Sequence, residues 1–346
     1  MGVAVDGHVD AGFERVRDEL VRNFEERGEV GAAYALHVEG RKVVDIWGGI
    51  ADDRTGRPYL ADTLQLVFST TKGATAACAN LLAQQGRLDV DEPVAAYWPE
   101  FARAGKERIP VRWLLCHKAG LPTIDRRLTF DEALAWEPVI EALEAQAPLW
   151  EPGTAHGYHA YTFGHLVGEV VRRIDGRSLG TFFREEIAEP LGLEFWIGLP
   201  EDQEHRVAPL HGALLDEPAD PAAAAVFRSF LGPATLLGRA LSLNGAFTGR
   251  DYANTSAFRA AEIPAANGVT NARSLSRFYA GLVGAVDDGP GEPLLTRAQL
   301  DRARERQTVG PDRVLSFPGL FEVASTIGLG FWTSSPFAPF GGAGAS

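Results

Sequence analysis

The segment from Leu66 to Gly86 most constrains what this chain of 346 residues can fold into. A short apolar run leads to Ser69, and an Ala- and Leu-rich stretch over 75–85 then predicts a helix that Gly86 ends. Lys72 follows Ser69 by three positions. On a helix this spacing puts both side chains on one face, one turn apart. The segment therefore predicts a helix of small residues with a serine and a lysine on one face at its start.

This serine and lysine have a catalytic interpretation and an ordinary one. A serine hydroxyl is a poor nucleophile near neutral pH and needs a base within hydrogen-bond reach. A lysine can be that base if burial and the positive end of a helix dipole favour its neutral form. In the ordinary interpretation Ser69 caps the helix and Lys72 is solvated. The spacing alone does not decide between them.

Composition and charge exclude several classes of protein. Hydrophobic residues make up 45% of the chain and charged residues 23%, which is typical of a globular protein with one large domain or two closely packed ones. The net charge is −13, and no basic run offsets it. Such a surface repels nucleic acids and anionic membranes, so we expect neither as a partner. Cys78 and Cys116 lie in apolar stretches and are expected to be buried thiols without a disulfide framework.

No targeting signal is visible in the sequence. The first 20 residues lack a basic stretch followed by an apolar one, so no secretory signal is predicted. No segment reaches about 18 uninterrupted apolar residues, the length that suggests a membrane span. We therefore expect a cytoplasmic protein.

The order of predicted elements suggests how the chain is organised. A helix over 10–28 precedes a hairpin of two strands that turns at Glu39-Gly40, and Gly48-Gly49 is expected to break the second strand. Further helices are predicted over 111–117, 130–145, 162–174, 178–191 and 271–283, and a strand over 328–332. The sequence thus predicts an α/β fold of the α+β type. A sheet domain takes residues 1–60 and 256–346, and a mostly helical domain takes residues 61–255.

Several motifs occur in the order found in one known family. They are Ile46-Trp47-Gly48-Gly49, Phe68-Ser69-Thr70-Thr71-Lys72-Gly73, the stretch Leu114 to Pro122, the stretch Pro152 to Ala160, and the stretch Pro264 to Arg273. Taken together, these motifs resemble those of the serine β-lactamase-related hydrolases. Within that family, the branch that the chain resembles most is the family VIII carboxylesterases. The resemblance implies a β-lactamase and penicillin-binding-protein-like fold, with an antiparallel sheet flanked by helices and a mostly helical region.

The resemblance also implies a role for three side chains. Ser69 matches the acylated nucleophile, Lys72 matches the lysine that accepts or relays its proton, and Tyr158 matches a general base or proton shuttle. A tyrosine pKa near 10 falls beside an ammonium, so a Lys–Tyr pair can share one proton near neutrality. Which of the two is the base stays open. A buried core tyrosine is the ordinary alternative for Tyr158.

The oxyanion hole and the third motif are predicted at the end of the chain. The backbone N–H groups of Ser69 and Ala345 match the two oxyanion donors, and Gly342 and Gly344 match the third motif beside the substrate. The family usually carries Lys or His where Gly342 stands, so recognition of a substrate carboxylate is expected to suffer. The second motif ends in Ala160, where the lactamases have an Asn that binds the amide side chain of β-lactams. This difference favours esters over lactams.

The chain stops at the third motif, whereas the family continues through further strands and a helix. The sequence therefore looks C-terminally truncated. An unfinished sheet exposes an edge, which favours pairing with another chain, so a homo-oligomer is one expectation.

Other candidate side chains carry weaker signals. Trp150 and His159 are weak candidates for the substrate pocket. His156, His159 and His165 lack a matching carboxylate or thiolate set, so no metal is expected, and no cofactor is implied. Ser178 lies in Gly176-Arg177-Ser178-Leu179-Gly180, the pattern of the α/β-hydrolase elbow. Because a helix precedes this pattern instead of a strand, we interpret Ser178 as a helix N-cap.

The sequence thus predicts a serine esterase that hydrolyses small hydrophobic esters through an acyl-enzyme on Ser69. An acyltransferase, or a hydrolase of β-lactams or peptide amides, could use the same site. A catalytically inactive scaffold or assembly protein is the alternative from another class, suggested by the missing cation at Gly342 and the abrupt end of the chain.

Overall fold

A computed structural model of the chain describes residues 3–210, 219–249, 251–317 and 319–334. Its strands are β1 (Val5–Val9), β2 (Gly31–Val38), β3 (Arg41–Asp52), β4 (Arg57–Pro58), β5 (Gln65–Leu66), β6 (Phe195–Trp196), β7 (Val269–Thr270), β8 (Thr326–Ile327) and β9 (Trp332–Ser334). Its α-helices are α1 (Glu14–Glu26), α2 (Thr71–Gln84), α3 (Val94–Tyr97), α4 (Val111–Leu115), α5 (Phe130–Leu134), α6 (Trp136–Ala145), α7 (Thr162–Asp175), α8 (Leu179–Phe183), α9 (Glu189–Leu191), α10 (Pro221–Leu231), α11 (Leu236–Leu241), α12 (Ser256–Ala260), α13 (Ala272–Val283) and α14 (Arg297–Arg304). Tighter 3₁₀ turns occur at Phe68–Thr70, Pro99–Ala102, Glu201–Arg206 and Tyr252–Asn254, and a π turn at Arg184–Ala188.

The N-terminal strands form an antiparallel sheet in the order β1-β3-β2, with β4 paired to the end of β3. The predicted hairpin turn is present: Glu39 and Gly40 both have positive φ, 52° and 79°. Two successive left-handed residues match the twist of paired strands. Alternate residues of β3 face α1, so Val44 and Ile46 pack with Leu20 in a small core of their own.

The predicted break at Gly48-Gly49 is wrong, because β3 continues through these glycines to Asp52. A Cβ at Gly48 would lie 2.6 Å from the carbonyl oxygen of Ala4, and one at Gly49 would lie 2.2 Å from that of Val30. Gly49 also has φ 86°. The glycines allow the strand to pass close to its neighbours' backbones, which any side chain would prevent.

Helix α2 lies at the centre of the main core. It begins at Thr71, earlier than predicted, and its residues 71–82 are all buried. Helices α7, α8 and α14 pack around it. A helix covered on all sides needs small or apolar residues on every face, which explains its run of Ala.

The helix predicted over 130–145 is two helices, α5 and α6. Ala135 separates them with an extended backbone, φ −82° and ψ 131°. Pro138 therefore lies in the first turn of α6, where its missing N–H costs no helical hydrogen bond. A continuous helix would have placed this proline in its interior.

The second half of the chain covers the N-terminal sheet with helix α13. Arg273 Nε donates to Asp45 at 3.0 Å, and His37 Nδ1 lies 2.8 Å from the Ser276 hydroxyl. Strands β5, β7 and β6 form a second small sheet, and β8 pairs with β9. Gly328 is expected in a strand, but it lies in the turn between β8 and β9. Its N–H donates to Phe331 O at 2.8 Å. Among the described residues, the strands from the two ends of the chain form separate ladders.

The described part of the chain contains no helix that is both long and apolar enough to cross a bilayer.

Gly164→Ala tests the closeness of α7 to the loop before β7. A Cβ at Gly164 would lie 2.4 Å from Ala265 N and 2.6 Å from Pro264 C, so backbone must move. We expect a loss of about 1–3 kcal/mol in the free energy of unfolding, measured by urea denaturation. Gly284→Ala is the control, because its position is open and its backbone is extended. Equal stability of the two variants would contradict this packing.

Candidate active site

Ser69 lies in the 3₁₀ turn between β5 and α2, and its side chain is exposed. The preceding residue, Phe68, has φ 41°, a conformation that costs energy for a side chain of this size. Thr71 holds the turn from behind: its hydroxyl donates to Phe68 O at 2.5 Å and accepts from Gly268 N at 2.8 Å. The turn thus presents the serine hydroxyl in a fixed, accessible position.

Lys72 lies beneath Ser69 and is buried. Its Nζ is 3.1 Å from Ser69 Oγ, 2.6 Å from the carbonyl oxygen of Ala160 and 2.9 Å from that of Ala265. The three-residue spacing therefore does place the two side chains together, and Lys72 is not a solvated lysine.

Burial holds the pKa of Lys72 well below its ordinary value, because the charged form loses its hydration. A neutral amine has two N–H groups and one lone pair. The carbonyls of Ala160 and Ala265 can accept the two N–H groups, which leaves the lone pair for the hydroxyl proton of Ser69. This arrangement suits a base that takes a proton from the serine.

Tyr158 approaches Ser69 from another side, and its hydroxyl donates to Ser69 Oγ at 2.5 Å. Burial raises the pKa of Tyr158 to about 12, the Ser69 hydrogen bond opposes that rise, and Asp312 adds to it. The expectation that the pKa of Tyr158 falls is therefore wrong. It assumed a charged ammonium, whereas burial favours the neutral amine of Lys72 and the neutral phenol.

The loop that carries Tyr158 is held by buried groups. Asp312 Oδ1 accepts from Tyr158 N at 3.1 Å, and His117 Nδ1 accepts from His159 N at 3.1 Å. Gly157 N donates to His117 O at 3.0 Å. The loop backbone is thus fixed on both sides of the tyrosine.

Trp150 and His159, the two weak candidates for the substrate pocket, lie inside the protein. His159 is fully buried, and its ring accepts from Leu121 N at 3.0 Å and lies 2.6 Å from Gly157 O. Trp150 is also buried, and it packs against the position where a Cβ at Gly157 would lie. Both side chains support the loop of Tyr158 from inside, and their role in a substrate pocket stays a prediction.

The predicted second oxyanion donor, Ala345, and the third-motif residues Gly342 and Gly344 lie outside the described residues.

The other serine motif behaves as a helix cap. Ser178 accepts from Thr181 N at 3.3 Å at the start of α8, and its hydroxyl donates to Glu262 Oε1 at 2.6 Å. The interpretation of Ser178 as an N-cap is confirmed. Within the described ranges, His156, His159 and His165 belong to no group of three or more His, Cys, Asp or Glu side chains able to hold a metal ion.

Sequence reasoning missed two neighbours of Tyr158. Trp332 on β9 meets the Tyr158 ring edge-on, with centroids 5.9 Å apart. Asp312 binds the Tyr158 backbone from more than 150 positions away. The Pro311-Asp312 pair is a turn signal, since an aspartate there readily accepts backbone N–H groups, but it does not indicate which distant loop it meets.

The fold, and a serine hydroxyl held between a buried lysine and a tyrosine, define a serine hydrolase. The Beta-lactamase family model matches residues 17–345. The chain is 36% identical over 330 residues to Esterase/beta-lactamase LipL of Mycobacterium tuberculosis, covering 92% of this chain and 73% of that protein. The chain therefore belongs to the β-lactamase family.

Two solved structures carry the same fold over almost the whole chain. The crystal structure of a family VIII carboxylesterase matches with a TM-score of 0.83 and 35% identity, covering 96% of this chain and 84% of that one. A penicillin-binding protein homolog from Caulobacter crescentus matches with a TM-score of 0.80 and 36% identity, covering 95% and 83%. The resemblance drawn from the motifs is thus confirmed.

Lys72→Met tests the neutral state of the buried amine. Between the lowered folded pKa and the unfolded value near 10.4, the unfolded chain binds one more proton than the folded chain. Wild-type stability should therefore rise with pH relative to Lys72→Met, by up to about 1.4 kcal/mol per pH unit in that window. Urea unfolding of both proteins across that range measures the difference.

Ser69→Ala is the control for this measurement, because it keeps the amine and should keep the wild-type slope. If Lys72→Met had the same slope as wild type, Lys72 would be charged in the folded protein.

Proposed function

We propose that the chain is a serine carboxylesterase that forms an acyl-enzyme on Ser69. The observation that carries the proposal is the position of Ser69 Oγ, which is exposed and lies 3.1 Å from Lys72 Nζ and 2.5 Å from Tyr158 Oη. A nucleophile with a base and a second proton-handling group in direct contact is the arrangement that acyl transfer requires.

The proposed first half-reaction forms the acyl-enzyme. Ser69 Oγ attacks the ester carbonyl carbon, and its proton passes to the lone pair of Lys72. When the tetrahedral intermediate collapses, the neutral phenol of Tyr158 donates its proton to the departing alkoxide, and the proton on Lys72 replaces it. The alcohol leaves, and the acyl group stays on Ser69.

The proposed second half-reaction follows the same path in reverse, with water in place of the alcohol. Water attacks the acyl carbonyl, its proton is taken by the lysine–tyrosine pair, and Ser69 Oγ leaves with a proton. The N–H groups of Ser69 and Ala345 are the proposed donors to the oxyanion in both halves.

We propose small hydrophobic esters as the substrates. The half-buried Trp332 and Tyr158 offer an aromatic surface beside the nucleophile. Ala160 contributes its backbone carbonyl to Lys72 and has no side-chain amide with which to bind the amide group of a lactam. These features favour esters over β-lactams or peptide amides. The name of LipL includes two of these activities, esterase and β-lactamase. Transfer of the acyl group to another alcohol or amine would use the same intermediate.

Ser69→Ala should abolish hydrolysis of p-nitrophenyl butyrate, with a fall in kcat of roughly 10⁴-fold or more. A fluorophosphonate probe should add once to the wild-type protein, and peptide mapping should place the adduct on Ser69. Ser178→Ala is the matched control: it should retain both label and activity, because Ser178 caps α8.

Loss of hydrolysis in a folded Ser178→Ala variant would overturn the assignment. Absence of any adduct in the wild type would instead favour the inactive scaffold.

Tyr158→Phe removes the hydroxyl and keeps the ring. Because the hydroxyl contacts Ser69 directly, we expect kcat to fall roughly 10²–10⁴-fold with a smaller change in KM. Steady-state kinetics with p-nitrophenyl butyrate measure both constants. Tyr252→Phe is the control, since its hydroxyl pairs with Tyr161 instead of Ser69. Similar kcat values for Tyr158→Phe and wild type would remove the tyrosine from the mechanism.

A further inference from the structure

Asp312 is a fully buried carboxylate directly behind Tyr158. Its Oδ1 accepts three backbone N–H groups, from Tyr158 at 3.1 Å and from Val314 and Leu315 at 2.8 Å each. The backbone of Asp312 is itself held, with its N–H donating to Val323 O at 2.8 Å. One carboxylate oxygen therefore joins the loop 155–159, which carries Tyr158 and is called the catalytic loop below, to the segment before β8.

The second carboxylate oxygen has a complementary neighbour. Asp312 Oδ2 and His156 Nε2 are both buried, and neither has a hydrogen-bond partner within the described part of the chain. The two residues are close in space, because Arg313 N donates to His156 O at 2.9 Å, and the charge of Asp312 acts on the His156 ring. The two side chains form no direct hydrogen bond or ion pair. Each unpaired buried group costs about 1–3 kcal/mol, so a water that bridges the donor and the acceptor would stabilise both.

We propose that His156 and Asp312 form a buried pair that positions Tyr158. Neutral His156 donates its Nε2–H to one enclosed water, and that water donates to Asp312 Oδ2, while Oδ1 holds the backbone N–H of Tyr158. The catalytic loop is then attached to Asp312 at two points, one on each side of Gly157. The part of this inference that concerns catalysis rests on the proposed function.

The pair matters because Tyr158 must keep its hydroxyl within hydrogen-bond distance of Ser69 Oγ. Gly157, between residues 156 and 158, is held through its own N–H by His117 O at 3.0 Å. The links to Asp312 add a further attachment on each side of this glycine, at His156 and at Tyr158. Asp312 acts through Tyr158 and does not touch the reacting atoms, so it is a positioning residue.

Kinetics of Asp312 variants separate positioning from general packing. Asp312→Asn keeps an oxygen for the three N–H groups and turns an amide N–H toward the bridging water, which can then donate to the other tautomer of His156. Asp312→Ala removes both attachments. We expect Asp312→Ala to lower kcat roughly 100-fold with KM nearly unchanged, the cost of a catalytic group displaced by about 1 Å, and Asp312→Asn to recover most of that loss.

Changing the histidine tests the other half of the pair. His156→Gln should lower kcat, and combining it with Asp312→Ala should cost less than the sum of the two changes. The matched control is His165→Gln, which alters a buried histidine on α7 that packs on Trp136 and should leave kcat unchanged.

A spectroscopic measurement on the full chain tests the pair without relying on activity. The ring ¹⁵N–¹H spectrum should contain a slowly exchanging Nε2–H signal that disappears in His156→Gln, is lost or strongly shifted in Asp312→Ala, and persists in His165→Gln. It should also persist in Ser69→Ala, so failure of the proposed esterase mechanism would not remove it.

The proposal is overturned if no such signal exists, if it is unaffected by Asp312→Ala, or if folded Asp312→Ala retains wild-type kcat. If Asp312→Ala does not fold, Asp312→Asn and His156→Gln decide: an unshifted signal in Asp312→Asn together with unchanged kcat in His156→Gln would also overturn it.

Discussion

The site depends on one buried amino group. Lys72 is buried, with only 6% of its surface exposed, and two backbone carbonyls from distant segments, at Ala160 and Ala265, accept its N–H groups. Burying an amine favours its neutral form, so the fold gives Lys72 the free lone pair that its proposed role as a base requires. The burial of Lys72 also constrains the core around helix α2. Helix α2 must be covered on every side, and its small residues allow the loop before β7 and the start of α7 to come close enough to supply those carbonyls.

Burial also determines the protonation state of Tyr158. In a medium of low polarity, a neutral amine and a neutral phenol are more stable than an ammonium and a phenolate unless the two charges pair closely. Tyr158 therefore donates a hydrogen bond to Ser69, and Lys72 is free to accept one from it. The serine between them is exposed, so substrate can reach it without exposing the base. The strained backbone at Phe68, held by Thr71, is the local cost of this geometry.

The differences from the family pattern concern substrate recognition more than the reaction. Ala160 retains the carbonyl that orients Lys72, and that contact does not depend on which side chain stands there. Behind the tyrosine, buried histidines and a carboxylate support the loop: His117 receives the N–H of His159, and Asp312 receives that of Tyr158. Ser69, Lys72 and Tyr158 and the groups that hold them are thus supplied by separate parts of the chain.

The sequence by itself determined the elements whose cause is local. The spacing of Ser69 and Lys72, the hairpin turn at Glu39-Gly40 and the cap at Ser178 each follow from a few neighbouring residues, and the ordered motifs indicated the family and Tyr158. Tertiary structure decided what depends on distant neighbours. The continuation of β3 through Gly48 depends on backbones packed beside it, the raised pKa of Tyr158 depends on burial, and Asp312 meets the catalytic loop across more than 150 positions. Burial and long-range contacts have no signature in a single local stretch, because they are made by residues that only folding brings together.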